Sequence, residues 1–201
     1  MHAVVSNLGE HLIYYAQRNG DDYDPFDAAI IRLSQPELID ALQTNWSFVS
    51  PNNLGPIPPE GRQGFLVAGY PREVSRREGF ELSAKFMTFA TNSLGSLPDG
   101  LELRPGLDIL LTHEEIGAGF DGEPIRLPKL NGVSGGSVWV AHRDESRDPV
   151  WSARSHLKLV GIQTAVARGS YIRAISWQLV AKFFERLDLR AAQEISQALE
   201  M

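Results

Sequence analysis

From residue 64 onward the chain is cut into short β-forming runs by turn-formers, and that rhythm restricts its fold more than anything else. Candidate strands fall at 64–70, 84–92, 107–113, 138–141, 157–165 and 170–175, with Pro98-Asp99-Gly100 and Arg104-Pro105-Gly106 among the turns. Runs of this length cannot build a helical core, and their spacing predicts a barrel or a sandwich. Helical periodicity is confined to the end. Ser176 can cap a helix with Leu179, Val180, Phe183, Phe184 and Leu187 on one face, and Asp188 can cap a second with Ala192, Ile195 and Leu199 in a stripe.

The first 33 residues carry two apolar runs, 11–17 and 27–33, separated by Arg18-Asn19-Gly20-Asp21-Asp22-Tyr23-Asp24-Pro25. This predicts strand, loop, strand. Pro36-Glu37-Leu38-Ile39-Asp40-Ala41-Leu42 follows Ser34 and predicts one or two helical turns. Residues 50–61 hold four prolines and two glycines after Ser50, which sustain neither ladder nor helix. The expected organisation is therefore 1–50, a linker at 51–62, a β-rich domain at 63–175 and a helical segment at 176–201.

Among the β-runs one junction carries chemistry. In Leu130-Asn131-Gly132-Val133-Ser134-Gly135-Gly136-Ser137-Val138-Trp139-Val140-Ala141 a serine lies between glycines and a strand follows at once. The backbone must turn tightly around the hydroxyl. Glycines on both sides leave room for a substrate carbonyl and free backbone N–H groups to face a developing oxyanion. Gly-x-Ser-x-Gly is also the nucleophile elbow of α/β-hydrolases, but that elbow leads from strand into helix and needs an acid and a histidine downstream.

Gly132-Val133-Ser134-Gly135-Gly136 resembles the Gly-Asp-Ser-Gly-Gly signature of trypsin-like serine peptidases, including the bacterial HtrA/Deg type. Asp27-Ala28-Ala29-Ile30-Ile31-Arg32-Leu33 is similar to that family's aspartate strand, and Val160-Gly161-Ile162-Gln163-Thr164-Ala165 to its pocket strand. Val67-Ala68-Gly69-Tyr70-Pro71 and Arg173-Ala174-Ile175-Ser176 are similar to the strands that open and close its second barrel. The resemblance runs over roughly 24–186.

It implies an all-β fold, a trypsin-like double β-barrel with C-terminal helices. It also implies a serine endopeptidase acting through a covalent acyl-enzyme. Ser134 would be the nucleophile, Asp27 the carboxylate that orients the histidine, and the N–H groups of Gly132 and Ser134 the oxyanion donors. Asp21, Asp22 and Asp24 stand near Asp27, but only Asp27 leads into the apolar strand. Chain order puts the base before Asp27, leaving His2 and His11. His2-Ala3-Val4-Val5 is the better match, and His11 is only 16 residues away. The family's first barrel has several strands before its histidine, so a truncated N-terminal barrel is expected, with a histidine upstream of Met1 as the alternative base. Ile162, Gln163 and Thr164 would bind the peptide, and Pro128 would lie at the pocket floor, implying a neutral or small apolar preference. Val133 in place of aspartate argues against activation by a newly cut N-terminus. The alternative function is an inactive peptidase-like domain that binds peptides along the same strand.

Composition bounds the rest. The chain has 201 residues, 43% hydrophobic and 22% charged, a net charge of -6 and no cysteine. Disulfides and thiolate chemistry are excluded, and a general nucleic-acid surface is disfavoured. No apolar run approaches the length of a membrane span, and no signal peptide is visible at Met1. A cytoplasmic, membrane-free protein with a peptide or protein substrate is expected, its oligomeric state open. His113-Glu114-Glu115 lacks the second histidine of a zinc-protease helix, and His142 with Asp144 suggests loop solvation, so neither metal nor cofactor is expected.

Overall fold

The computed structural model describes residues 2–8, 11–17, 29–45, 47–58, 64–78, 81–119, 121–141, 156–167 and 171–200. The chain divides into two compact units, Met1–Val49 and Ser50–Met201. Within the described residues both are dominated by antiparallel strands, with helices after the strands in each.

In the first unit β1 (His2–Leu8), β2 (His11–Gln17) and β3 (Ala29–Arg32) form a three-stranded meander in that order, followed by α1 (Pro36–Asn45). Strand β1 is an element that turn-and-strand reading of the sequence misses. His2 is level with Gln17 and Ala29 with Tyr15, so the N-terminal ends of β1 and β3 lie at the same end of the sheet with β2 between them. At ordinary strand spacing that separates the two backbones by roughly 10 Å. Helix α1 starts at the proline, whose fixed φ suits a first helical position, and Glu37 in its first turn complements the helix dipole.

The second unit is built on a six-stranded sheet. Its strands are β4 (Gly64–Gly69), β7 (Met87–Asn92), β8 (Asp108–Thr112), β11 (Ser137–Ala141), β12 (Leu157–Ala167) and β13 (Tyr171–Ser176). They correspond to the six runs expected from the sequence. Two small hairpins lie outside this sheet: β5 (Ser75–Glu78) with β6 (Glu81–Ala84), and β9 (Ile116–Ala118) with β10 (Pro124–Arg126). Their strands are too short, too polar or too glycine-rich to show an apolar alternation.

The sheet order is β7-β4-β11-β12-β13-β8, antiparallel throughout, and the sheet curls. Its two outer strands meet where Ser93 bridges Leu111, Leu94 N–H donates to Leu110 O at 2.9 Å, and Thr91 Oγ1 donates to Thr112 O at 2.6 Å. Curling lets one face close on itself. Alternate residues Phe65 and Val67, Ile109 and Leu111, Val138 and Val140, and Ile172 and Ala174 all point inward and form one buried cluster. The period of two is what places them on a single face.

A second cluster lies outside this one. Helices α2 (Trp177–Phe184) and α3 (Leu189–Glu200) bury Ala181, Ile195, Ala198 and Leu199 against Leu159 and Leu54. Asp188 caps α3, accepting Ala191 N–H at 3.1 Å. Ser176 stands at the N-cap of α2, but its hydroxyl makes no cap bond; it donates to Gly106 O at 3.1 Å.

The stretch expected as a linker departs from expectation over its described part. Residues 51–58 lie on the second unit. Pro51–Asn53 forms a 3-10 turn, Leu54 bridges Leu159 in parallel, Gly55 N–H donates to Leu159 O at 3.1 Å, and Lys158 Nζ reaches Asn52 O at 2.8 Å. The prolines prevent regular structure, yet Leu54 is an apolar anchor only 3% exposed. Leu54→Ala is expected to cost about 2 kcal/mol of unfolding free energy in urea denaturation; an unchanged midpoint would mean that the segment contributes nothing to this unit.

Candidate functional site

Ser134 sits on the turn between Leu130 and β11, and the backbone around it is fixed by five hydrogen bonds. Val133 N–H donates to Leu130 O at 3.1 Å, and Gly136 N–H to Val133 O at 2.6 Å. Arg72 N–H donates to Asn131 O at 2.8 Å, tying the turn to the chain after β4. On the other side Gly135 N–H donates to Gln163 O and Gln163 N–H to Gly136 O, both at 2.8 Å. Leu130 and Val133 are 4% and 2% exposed and belong to the barrel cluster, so the turn is plugged into the core at two points. Val133 is thus an apolar anchor of the turn.

Gly132 and Gly135 have φ of +90° and +89°, a region that residues with a Cβ rarely occupy. They flank a serine whose side chain is thereby turned outward, and Ser134 is exposed. Gly136 is required for a different reason. A Cβ there would lie 2.6 Å from Ala68 O and 2.7 Å from Val133 O, both backbone atoms that cannot step aside. Gly136→Ala is expected to cost about 1–3 kcal/mol by overpacking and to displace Ser134, readable as a lower thermal midpoint; wild-type stability would show that the turn is loosely held.

The N–H groups of Gly132 and Ser134 donate to no backbone acceptor among the described residues. The Ser134 hydroxyl donates to Thr164 O at 3.2 Å. Thr164 is the extra residue of a β-bulge in β12, between the pairs Gln163–Ala174 and Ala165–Arg173. A bulge of this kind re-aims the backbone locally, and here it turns a carbonyl toward the hydroxyl. Beyond the bulge, residues 165–167 pair with β13 on one side, and residues 164–167 pair with no strand on the other among the described residues.

Beside the turn opens a cavity of about 620 Å³, lined by residues 126–132 together with Ser134 and Val166. Arg72, Arg126 and Lys129 contribute three cations to its wall, and Glu115 the one carboxylate among its lining residues. The carboxylate of Glu73 stands just behind, accepting the backbone N–H of Lys129 at 2.6 Å. No salt bridge engages Arg72, Arg126 or Lys129 among the described residues. His113 also lines the cavity; it is 9% exposed and its Nδ1 has no hydrogen-bond partner among the described residues. Burial pushes its imidazole below the usual histidine range, and the neighbouring Glu115 pulls it partly back.

The residues expected to act separate into two groups. Ser134, Gly132 and Thr164 come together at the turn and the bulge, with Pro128 in the cavity wall. Gln163 binds the turn through its backbone, but its side chain is 1% exposed and its Oε1 lacks a partner, so it packs inward and does not face a ligand. Ile162 pairs with Ser137 and Ile175 and is half-buried. The histidine and aspartate belong to the first unit. His2 is the first residue of β1, paired with Gln17, and Asp27 lies outside the described residues, as do Asp21, Asp22, Asp24, His142 and Asp144.

Sequence reasoning missed the cationic wall and His113. The basic residues at 126 and 129 stand immediately upstream of the nucleophile motif and were a readable signal; Arg72 and His113 are distant in the chain and arrive only through folding. Pro128 stands in the cavity wall between Arg126 and Lys129, two charged neighbours that the reading of that proline left out. Among the described residues no cluster of three or more His, Cys, Asp or Glu side chains could hold a metal ion, and no helix is long and apolar enough to cross a membrane.

Comparison with family models, with curated proteins and with solved structures finds no match to this chain.

Proposed function

We propose that this chain is a trypsin-like serine endopeptidase in which Ser134 attacks the scissile carbonyl. The observation that carries this reading is the exposed serine on a turn between two glycines of positive φ, beside a cavity, with the N–H groups of Gly132 and Ser134 engaged by no backbone acceptor among the described residues. Two such donors stabilise an oxyanion where charge develops, the larger part of what a site of this kind supplies. The strand order adds support. Consecutive strands β4, β7 and β8 neighbour one another and β11 returns beside β4, a Greek-key order within a curled sheet.

In the reaction the Ser134 hydroxyl leaves its bond to Thr164 O and gives its proton to a base. Its oxygen adds to the peptide carbonyl, and the collapsing tetrahedral adduct expels an amine that takes the proton back. Water then hydrolyses the acyl-enzyme by the same steps. The base in this reading is His2 and its orienting carboxylate Asp27. The substrate backbone would pair along the open side of residues 164–167, adding a strand to β12.

A second reading has a specific observation in its favour. The Ser134 hydroxyl donates to a backbone carbonyl at 3.2 Å, the arrangement of a turn residue that only binds. Together with the unpaired stretch 164–167 it describes a peptide-binding domain without turnover. Fluorophosphonate labelling separates the two. Covalent labelling of the folded protein that disappears in Ser134→Ala supports the peptidase; an unlabelled folded protein supports the binding domain.

A further inference from the structure

The cavity beside Ser134 has a charge that runs against the chain. The protein carries a net charge of -6, yet the cavity wall holds Arg72, Arg126 and Lys129 against the single carboxylate of Glu115. None of the three cations has an ion-pair partner among the described residues. Uncompensated cations grouped on one concave surface repel one another, and an anionic ligand relieves that repulsion. Focusing by the low-dielectric wall strengthens the attraction.

His113 adds an independent indication. A polar atom buried without a partner carries a desolvation cost of about 1–3 kcal/mol, and such atoms in a folded chain call for a partner. Nδ1 of His113 is in this condition, in a side chain nine-tenths buried that lines the same cavity. Nδ1 has almost no accessible surface, so the ring must turn to present an N–H there to an oxygen entering the cavity.

We propose that this cavity takes the side-chain carboxylate of a glutamate or aspartate in the bound peptide, with Arg126 and Lys129 neutralising it at the rim and His113 donating to it deeper in the wall. The proposal rests on the reading of Ser134 and residues 164–167 as a peptide site and adds the chemical class of the residue next to the attacked bond. Arg72 packs against Gly132, its Cβ 3.1 Å from where a glycine substituent would lie, and is the third cation of the cavity wall. Glu115 in the wall and Glu73 behind it oppose the ligand, two carboxylates against three cations.

The test is equilibrium binding to the full chain carrying Ser134→Ala, which retains the cavity and removes turnover. Three fluorescein-labelled pentapeptides that differ only in a central Glu, Gln or Lys are followed by anisotropy at low salt. The glutamate peptide is expected to bind roughly tenfold more tightly than its glutamine isostere, in line with charge-assisted recognition of a carboxylate. Adding Arg126→Ala and Lys129→Ala should bring it to the level of the glutamine peptide, while circular dichroism shows the fold retained; both side chains are exposed. Equal affinity for Glu and Gln, tighter binding of the Lys peptide, or no saturable binding would overturn the proposal. Because the readout needs no hydroxyl, a glutamate preference in a protein that fluorophosphonate does not label refutes the peptidase and leaves the carboxylate-binding cavity standing. Labelling without a glutamate preference does the reverse.

Discussion

Ser134→Ala is expected to lower kcat for peptide hydrolysis by roughly a million-fold, leaving the residual acceleration that binding and oxyanion donors supply by themselves. The size follows from how the residues of such a site act as one unit: without the oxygen there is no acyl-enzyme, and a base has nothing to activate. Stability should change by no more than a few tenths of a kcal/mol. Ser134 is exposed, and the turn is held by the backbone groups of Val133, Gly135 and Gly136 together with the buried side chains of Leu130 and Val133. Removing one 3.2 Å bond to Thr164 O from an exposed position costs little. Loss of activity in a fully folded variant is therefore the expected signature, measured as kcat beside a thermal unfolding curve. A variant that keeps substantial activity would assign the hydrolysis to another group.

The largest stability effect is expected at Asp108. Its side chain is fully buried between two guanidinium groups. Arg104 Nε donates to Oδ2 at 2.9 Å, Arg173 Nη2 donates to Oδ2 at 2.9 Å, and the Arg104 backbone N–H adds a third bond at 2.9 Å. Burial by itself would raise the carboxyl's affinity for a proton, but the bonds from Arg104 and Arg173 outweigh it and hold the pKa at about 2 against an ordinary 3.8. Asp108→Ala leaves both arginines without their shared partner, an expected loss of about 3–5 kcal/mol. The arginines are 25% and 18% exposed, so water compensates in part and the lower end of that range is expected.

The same carboxylate sets a pH dependence. Because its pKa is lower in the folded chain than in the unfolded one, the unfolded state takes up the proton first as pH falls. The contribution is complete above the unfolded value and is lost as pH drops from about 4 toward 2. Over that window the wild type should lose about 2 kcal/mol that Asp108→Asn does not lose, measured by urea unfolding at each pH. Parallel curves for the two proteins would mean that the ion pairs are not formed in solution.

Much of this molecule was legible in its residue order. The six strands of the curled sheet alternate or run apolar over four or more residues, a local signal that survives folding, and the turn at Gly132–Gly136 announces itself because only glycine occupies two of its conformations. The hairpins of β5 with β6 and β9 with β10 were not legible, since Ser75–Glu78 has no apolar residue and Pro124–Arg126 is exposed throughout, so neither creates a pattern. Docking of residues 51–58 was hidden for another reason. Proline and glycine forbid helix and ladder, which reads as linker, whereas the decisive feature is Leu54 reaching a groove made by Leu159 and two helices more than a hundred residues away. The Asp108 cluster and the cationic cavity share that cause: Arg104, Asp108 and Arg173, like Arg72, His113 and Arg126, are brought together by strand pairing, and no sequence window contains them.

The central claim is that the hydroxyl of Ser134 is a nucleophile. Brief exposure of the protein to a p-nitrophenyl ester at neutral pH, followed by acid quenching and peptide mass spectrometry, tests it most directly. The account predicts a stoichiometric burst of nitrophenolate and one acyl group on the peptide containing Ser134. A burst absent from the folded protein, or an acyl group found on some other residue, would contradict it.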